Sequence, residues 1–259
     1  MTTRQERERE FHDRAFGEGT RKSADRFYSI ERRSKDFYLE QLSRQCQDED
    51  VLEYGCGPGS AAFFVAEHGA RVTGIDISPV AIETATEEGV ARGLEDRLRF
   101  EVMDAEKLGF DDDSFGIVCG TGILHHLDLD LAYSEIARVL RPGGHAIFVE
   151  PLGHNPAINF YRRRTPHLRT EDEHPLLISD LEHASRYFGG VGSHFFHLFT
   201  LLAVPARSRS RFDGLVTLLG RLDDALFRFV PQSRRHAWLV TLILSDPQPS
   251  VAAIQARDG

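Results

Sequence analysis

The central part of the chain alternates short apolar runs with amphipathic segments. The apolar runs predict buried strands at residues 50–54, 71–76, 98–103, 115–120 and 144–150. Apolar residues at helical spacing predict helices between them, at residues 60–69, 79–92 and 129–140. Strands that alternate with helices favour right-handed crossovers and a parallel sheet covered on both faces. We therefore predict an α/β, doubly wound, Rossmann-like fold.

Glycine or acidic residues follow the first three predicted strands. Gly55, Gly57 and Gly59 follow the first strand, where glycine permits sharp turning and close approach of backbone N–H groups to a ligand. Asp76 ends the second strand about 20 residues further on, where a ribose-binding carboxylate is expected. Asp104 follows the third strand. Because the carboxyl ends of parallel strands share one edge, these residues predict a nucleotide-type site there.

Between Val51 and Pro151 the chain contains five motifs in order: LEYGCGPG, GIDIS, MDAEKLGF, FGIVCGTGILHHL and LRPGGHAIFVEP. In this order they resemble class I S-adenosylmethionine-dependent methyltransferases, in particular the small-molecule group that includes quinone methyltransferases. The resemblance implies a mostly parallel seven-stranded sheet with an antiparallel last strand. It also implies S-adenosyl-L-methionine as cofactor, S-adenosyl-L-homocysteine as product and a small-molecule acceptor that the motifs do not identify.

The same resemblance implies a role for each residue along this edge. Asp76 would accept hydrogen bonds from both ribose hydroxyls, and Asp104 would accept one from the adenine amino group. Glu53 would face the ammonium group of the cofactor, directly or through water. The other expected cofactor contacts are Gly55, Cys56, Gly57 and Gly59 in the loop, Ile77 against the adenine, the Ala105 N–H, Gly120 beneath the sulfonium and Tyr28 from the N-terminal region.

Two adjacent histidines, His125 and His126, follow the fourth predicted strand, where the acceptor would lie. A histidine with an ordinary pKa suits the base that an oxygen acceptor needs. In some enzymes with the same motif these histidines serve packing or orientation, so both roles stay open. His154 is a further catalytic candidate, and the candidate acceptor contacts are Glu150, Asn155, Tyr161 and Phe11. The ligand spacing predicts no metal site, since adjacent histidines cannot share one face of a strand.

The regions outside this core divide the chain further. Residues 1–49 predict a helical lid over the cofactor edge, or a simple cap on the sheet. Residues 50–259 would form the methyltransferase domain, with insertions near the acceptor site at residues 151–176 and 205–235. Residues 195–204 and 237–244 predict two further strands, and the resemblance implies that they form an antiparallel pair at the sheet edge.

Residues 212–230 have apolar positions at helical spacing, which is typical of an amphipathic helix. The helix would pack on the core, cover an apolar acceptor or lie on a membrane surface. Asp223 and Asp224 disfavour the last alternative, because they would repel anionic lipid.

The composition disfavours some classes of function. With 41% hydrophobic and 27% charged residues, the chain is typical of globular proteins. A net charge of −9 disfavours a general nucleic-acid binder. Three scattered cysteines fit a reducing, cytoplasmic location, and no apolar stretch approaches the roughly 20 residues of an integral membrane segment.

We therefore predict a methyltransferase that acts on a small, apolar metabolite, with oxygen as the first choice of target atom, then carbon or nitrogen. An NAD-dependent oxidoreductase is the alternative enzyme. A dinucleotide fingerprint would place its third small residue at Ser60 rather than Gly59, which speaks against it. A non-catalytic cofactor-binding protein of the same fold is the second alternative, and the oligomeric state is not indicated.

Overall fold

A computed structural model describes residues 3–18, 29–59, 61–166, 170 and 173–248. Its strands are β1 (Asp50–Tyr54), β2 (Arg71–Asp76), β3 (Leu98–Val102), β4 (Phe115–Thr121), β5 (Leu140–Pro151), β6 (Phe188–Phe196) and β7 (Leu239–Pro247). They form a seven-stranded sheet in the order β3-β2-β1-β4-β5-β7-β6. β7 is antiparallel to both β5 and β6, and every other neighbouring pair is parallel. The predicted fold class, with its antiparallel last strand, is therefore confirmed.

Helices flank this sheet. The α-helices are α1 (Thr3–Glu18), α2 (Arg32–Ser43), α3 (Ala62–Glu67), α4 (Pro79–Ala91), α5 (Leu129–Val139), α6 (Pro156–Arg164), α7 (Ile178–His183) and α8 (Phe212–Phe229). Short 3-10 turns occupy Leu124–His126, Ala184–Arg186, Phe199–Ala206 and Pro231–His236. Among the described residues, no helix combines the length and the apolar character that a bilayer span requires.

Local signals explain where several helices begin. The Ser78 hydroxyl accepts a hydrogen bond from Ala81 N at 3.2 Å, and Pro79 occupies the first position of α4. The Asp128 carboxylate accepts from the amides of Asp130 and Leu131 and so caps α5. These caps satisfy N–H groups that have no partner within the helix, and they set the direction in which each helix leaves the sheet.

The central strands are buried on both faces, as the parallel topology requires. On one face Tyr54 packs edge-on against Phe148, with ring centroids 5.9 Å apart. On the other face Tyr38 and Leu42 of α2 are buried in the core that contains Val51. The carboxyl ends of β1 to β4 are thus held by two independent layers of packing, which makes the site edge rigid.

The predicted boundaries differ from the structure near the last two strands. Residues 195–204 are not one strand, because β6 ends at Phe196 and His197 adopts a positive φ of 67°. The strand instead begins at Phe188. Gly190 permits it, since a Cβ there would lie 2.2 Å from the Ser245 hydroxyl oxygen on β7. Close contact with β7 therefore stabilises a strand in this segment, although glycine residues disfavour strands.

α8 has two apolar faces rather than one. Val216, Gly220 and Phe227 are buried, whereas Leu218 is 57% exposed and Phe229 is 76% exposed. The helix therefore packs on the protein with one face and leaves the opposite face uncovered by the described residues.

Candidate functional site

The carboxyl ends of β2 and β3 bring the two predicted acids to one edge of the sheet. Asp76 is the last residue of β2, and its carbonyl accepts a hydrogen bond from Met103 N at 3.0 Å. Asp104 is the next residue after Met103, so the two carboxylates follow neighbouring strands. Asp76 is 9% exposed, which leaves a small accessible area at the site edge.

The loop after β1 requires glycine for steric reasons. Gly55 and Gly59 have φ values of 57° and 93°. A Cβ on Gly55 would lie 2.8 Å from Cδ1 of Ile123, and one on Gly59 would lie 2.2 Å from Cε2 of Phe63. Asp76 fixes the loop, because its Oδ2 accepts from Gly57 N at 2.9 Å. At Gly55 and Gly59 the loop therefore approaches the adjacent elements with backbone atoms.

Glu53 has no exposed surface and stabilises the helix that follows this loop. Its two carboxylate oxygens accept from Ala61 N at 2.8 Å and Ala62 N at 2.9 Å. A carboxylate at a helix N-terminus is favoured by the partial positive charge there. Glu53 therefore orients the start of α3, and its contact with a cofactor ammonium group stays a prediction.

Cys56 has no exposed surface within the loop, where its amide donates to Ile75 O at 2.9 Å. Burial raises the pKa of its thiol well above the usual range, and the carboxylates of Glu53 and Asp76 act in the same direction. The thiol therefore stays protonated and unreactive. Cys56 is therefore a small buried residue that fills the loop, and its contact with a cofactor stays a prediction.

The α1 helix lies across this edge. Gln5 Nε2 donates to Asp104 Oδ2 at 2.7 Å, and the Ser78 hydroxyl donates to Asp13 Oδ1 at 2.5 Å. Phe11, a predicted acceptor contact on the same helix, is half-buried with its ring edge-on to His12. Tyr28 lies outside the described residues.

A buried carboxylate holds His125 after β4. His125 is 6% exposed, and its Nδ1 lies 2.7 Å from Glu150 Oε2. Glu150 has no exposed surface, and its Oε1 accepts from Ile123 N and Leu124 N, each at 2.9 Å. Glu150 was predicted to contact the acceptor, but the structure engages both of its oxygens within the protein. It positions His125 instead.

The neighbouring His126 faces α1. Its Nδ1 lies 3.2 Å from Glu8 Oε2, and its ring centroid lies 5.5 Å from that of His12. Burial lowers the pKa of His126, which keeps its imidazole neutral. Burial raises the pKa of Glu8, but His12, His126 and Thr170 outweigh it and hold that pKa well below its usual range. Glu8 was not among the predicted site residues, although its i,i+4 spacing from His12 was visible in the sequence.

The predicted residues after β5 lie in different surroundings. Asn155 is 1% exposed and caps α6, with its Oδ1 accepting from Ala157 N and Ile158 N. Its side-chain nitrogen donates to His236 O at 2.6 Å, so its function here is to fix the helix and not to face an acceptor. His154 and Tyr161 are half-buried, and their roles stay predictions.

A further acidic group, Glu173, lies near His125 together with its basic partner Arg162. Glu173 Oε1 is 3.9 Å from His125 Nε2 and forms an ion pair with Arg162. The amide of His174 donates to His125 O at 3.1 Å. The chain after α6 therefore returns to the segment after β4, and the role of residues 151–176 at an acceptor site stays a prediction.

The comparison with protein families matches residues 52–148 to the methyltransferase domain family. Methyltransferase GfsG of Streptomyces halstedii is 42% identical over 96 residues, and the 27-O-demethylrifamycin SV methyltransferase of Amycolatopsis mediterranei is 40% identical over 96 residues. Sterol 4-C-methyltransferase strm-1 of Caenorhabditis elegans is 35% identical over 94 residues. Each match covers 36% of this chain and 34, 35 and 28% of the respective relative. The chain thus spans about a third of the length of these relatives.

Solved structures show the same fold. Phosphoethanolamine N-methyltransferase 2 of Haemonchus contortus, in complex with S-adenosylhomocysteine, has a TM-score of 0.59 at 20% identity and covers 82% of this chain and 53% of its own. The [4+2]-cyclase SpnF has a TM-score of 0.55 at 20% identity and covers 82% of this chain and 80% of its own. The resemblance seen in the sequence motifs is confirmed for the domain.

Proposed function

We propose that this chain, in which residues 52–148 form a class I S-adenosylmethionine-dependent methyltransferase domain, transfers a methyl group from S-adenosyl-L-methionine to a small, apolar metabolite. The observation that carries the proposal is the edge formed by β1, β2 and β3. The glycine-rich loop lies at this edge, and the two carboxylates at the ends of adjacent strands lie there as well. The sulfonium cofactor has no pyrophosphate, and accordingly the loop contains no lysine.

The residues at this edge suit each part of the cofactor. The positive φ values of Gly55 and Gly59 let the loop turn sharply at the end of β1, where the aminoacyl part of the cofactor would bind. Asp76 would accept from the ribose hydroxyls through lone pairs that the Gly57 and Ser78 amides do not use. Asp104 Oδ2 accepts a hydrogen bond from the side-chain NH₂ group of Gln5. The amino group of adenine is a donor of similar shape.

The cofactor supplies the electrophilic methyl group, and the protein positions the nucleophile. We propose an oxygen acceptor first, because His125 is held by Glu150 in the orientation that a base requires. A proton on Nδ1, facing Glu150, would leave Nε2 to remove the proton of a hydroxyl. His126 and His154 remain weaker candidates for the same role.

The apolar acceptor is supported by the relatives and by the arrangement of the chain. Two relatives are named as a 27-O-demethylrifamycin SV methyltransferase and a sterol 4-C-methyltransferase, so both act on small molecules and one acts on a sterol. We propose that residues 1–49 act as the lid, because α1 contacts Asp104 and Ser78. Residues 151–176 and 205–235 would complete the acceptor site, with Phe11 and Tyr161 as apolar contacts. A cytoplasmic location is supported by three free, buried cysteines.

Calorimetric titration with S-adenosyl-L-methionine tests the proposal. Wild-type protein should bind one equivalent. Asp76→Asn should weaken binding by roughly 100-fold, because the acceptor loses its charge and one of its two oxygens becomes an NH₂ donor. The matched control is Asp96→Asn, an exposed aspartate beside β3, which should bind as wild type does.

Absence of binding by the wild-type protein, or equal affinity of wild type and Asp76→Asn, would contradict the assignment. SpnF shows that this fold also occurs in a cyclase, so release of S-adenosylhomocysteine with a set of hydroxylated apolar compounds must accompany the titration. Binding without release would indicate the non-catalytic alternative. Enhanced NADH fluorescence on mixing would indicate the oxidoreductase alternative.

A further inference from the structure

A cluster of two histidines and one carboxylate joins α1 to the segment after β4. Glu8 and His12 lie one turn apart on α1, and His126 ends the 3-10 turn Leu124–His126. Glu8 Oε2 lies 3.2 Å from His126 Nδ1 and 3.5 Å from His12 Nε2. The potential ligand atoms of the three residues all lie within 4.8 Å of one another.

Hydrogen bonding does not account for these short distances. Glu8 Oε2 and His126 Nδ1 are both buried, and within the described residues neither makes a hydrogen bond of acceptable geometry, although they lie 3.2 Å apart. Buried polar atoms nearly always have a partner. A cation held between this oxygen and this nitrogen would satisfy a lone pair on each of them.

We propose that Glu8, His12 and His126 bind one divalent transition-metal ion, with Zn²⁺ as the best match. Zn²⁺ binds histidine nitrogen at about 2.0–2.1 Å and carboxylate oxygen at about 2.0–2.2 Å, so a tetrahedral site separates its ligand atoms by about 3.4 Å. The measured separations of 3.2 and 3.5 Å lie on either side of this value. Two imidazoles disfavour Mg²⁺ and Ca²⁺, which prefer oxygen ligands.

The surroundings of the cluster support a built site. Thr170 Oγ1 donates to Glu8 Oε1 at 2.5 Å, which orients the carboxylate so that Oε2 faces the histidines. Two histidines and one glutamate form a ligand set used by catalytic zinc sites, in which a fourth position stays open. The His125 ring lies 4.2 Å from that of His126, so the ion would lie beside the proposed base. It would also fasten α1 to the domain.

Metal analysis of the full chain tests the site without cofactor or acceptor. Protein equilibrated with Zn²⁺ and then desalted should retain one equivalent per chain by mass spectrometry. Competition with a chromogenic chelator should show that Glu8→Gln and His12→Gln each lower Zn²⁺ affinity by roughly 100-fold or more. Loss of an outer-sphere partner alone typically costs 10–100-fold. Co²⁺ substitution should give visible absorption of tetrahedral intensity in the wild type and not in these variants.

Two matched variants serve as controls. Glu10→Gln changes an exposed glutamate on the same helix, and His183→Gln breaks a histidine–carboxylate pair with Asp130 elsewhere on the protein. Both should retain wild-type affinity, and circular dichroism should show that all variants are folded. A wild type that retains no metal, or a folded Glu8→Gln that binds as tightly as wild type, would overturn the site. Because S-adenosylmethionine binding is measured separately, either proposal can fail alone.

Discussion

At the scale of single residues, Glu150 determines what His125 can do. One oxygen of Glu150 accepts from two backbone amides, which leaves the other oxygen to face His125 Nδ1. A carboxylate in this arrangement fixes both the ring orientation and the tautomer of a histidine. Glu150 is therefore a positioning residue, since it acts through His125.

If His125 is the base, His125→Gln should lower kcat/KM for an oxygen acceptor by about 10²–10⁴-fold without changing cofactor affinity. Glu150→Gln should lower it less and alter the pH profile, because the ring loses its oriented partner. The measurement is S-adenosylhomocysteine release across a pH series. His68→Gln, at an exposed histidine on the far end of α3, is the control. An unchanged rate in His125→Gln would assign the histidine to packing.

At the scale of elements, α8 is attached to the protein by an aspartate on its buried face. Asp223 is 1% exposed and accepts hydrogen bonds from the amides of Leu198, Phe199 and Thr200. These are the free N–H groups at the start of the 3-10 turn Phe199–Ala206. The adjacent Asp224 is exposed and forms an ion pair with Arg33 at 2.7 Å. Two neighbouring aspartates thus have different functions.

Asp223→Ala should lower the free energy of unfolding by about 2–4 kcal/mol, because it leaves several buried amides without an acceptor. Asp224→Ala should lower it by less than about 1 kcal/mol, since exposed ion pairs contribute little. Urea denaturation of the two variants and the wild type measures both values. Equal effects of the two substitutions would contradict the assigned role of Asp223.

At the scale of the whole molecule, His197 connects the N-terminal region with the C-terminal third. Its Nε2 lies 3.0 Å from the Ser34 hydroxyl on α2, and its Nδ1 lies 3.1 Å from that of Thr200. Burial lowers the pKa of His197 to about 3, and the positive charge of Arg33 acts in the same direction. In the unfolded chain its pKa is about 6.5. The unfolded state therefore binds the proton first as the pH falls.

This difference should make the fold sensitive to acid. The stabilising contribution of neutral His197 is complete above pH 6.5 and is lost as the pH falls towards 3. Between pH 7 and pH 5 the wild type should lose about 2 kcal/mol more than His197→Gln, at about 1.4 kcal/mol per pH unit below pH 6.5. Urea denaturation at both pH values gives the comparison. An equal loss in both proteins would show that His197 is not buried in its neutral form.

The sequence determined the features that depend on short segments. Periodic apolar runs predicted the strands from β1 to β5, and helical spacing over residues 79–92 predicted α4. The glycine loop and the acids at Asp76 and Asp104 were visible because each follows a strand directly. Strand direction then places them at one edge. These signals are local, and burial in a parallel sheet reinforces them.

The tertiary structure decided what depends on contacts between distant segments. It brought Glu8 and His12 to His126, so that a metal site is proposed where adjacent histidines had predicted none. It placed Asp223 on the buried face of α8, so only one of the two aspartates that had disfavoured a membrane surface is exposed. The glycine-containing β6 formed because β7 offered a paired edge. Sequence patterns record which residues are apolar, but which side chains meet depends on how the elements pack.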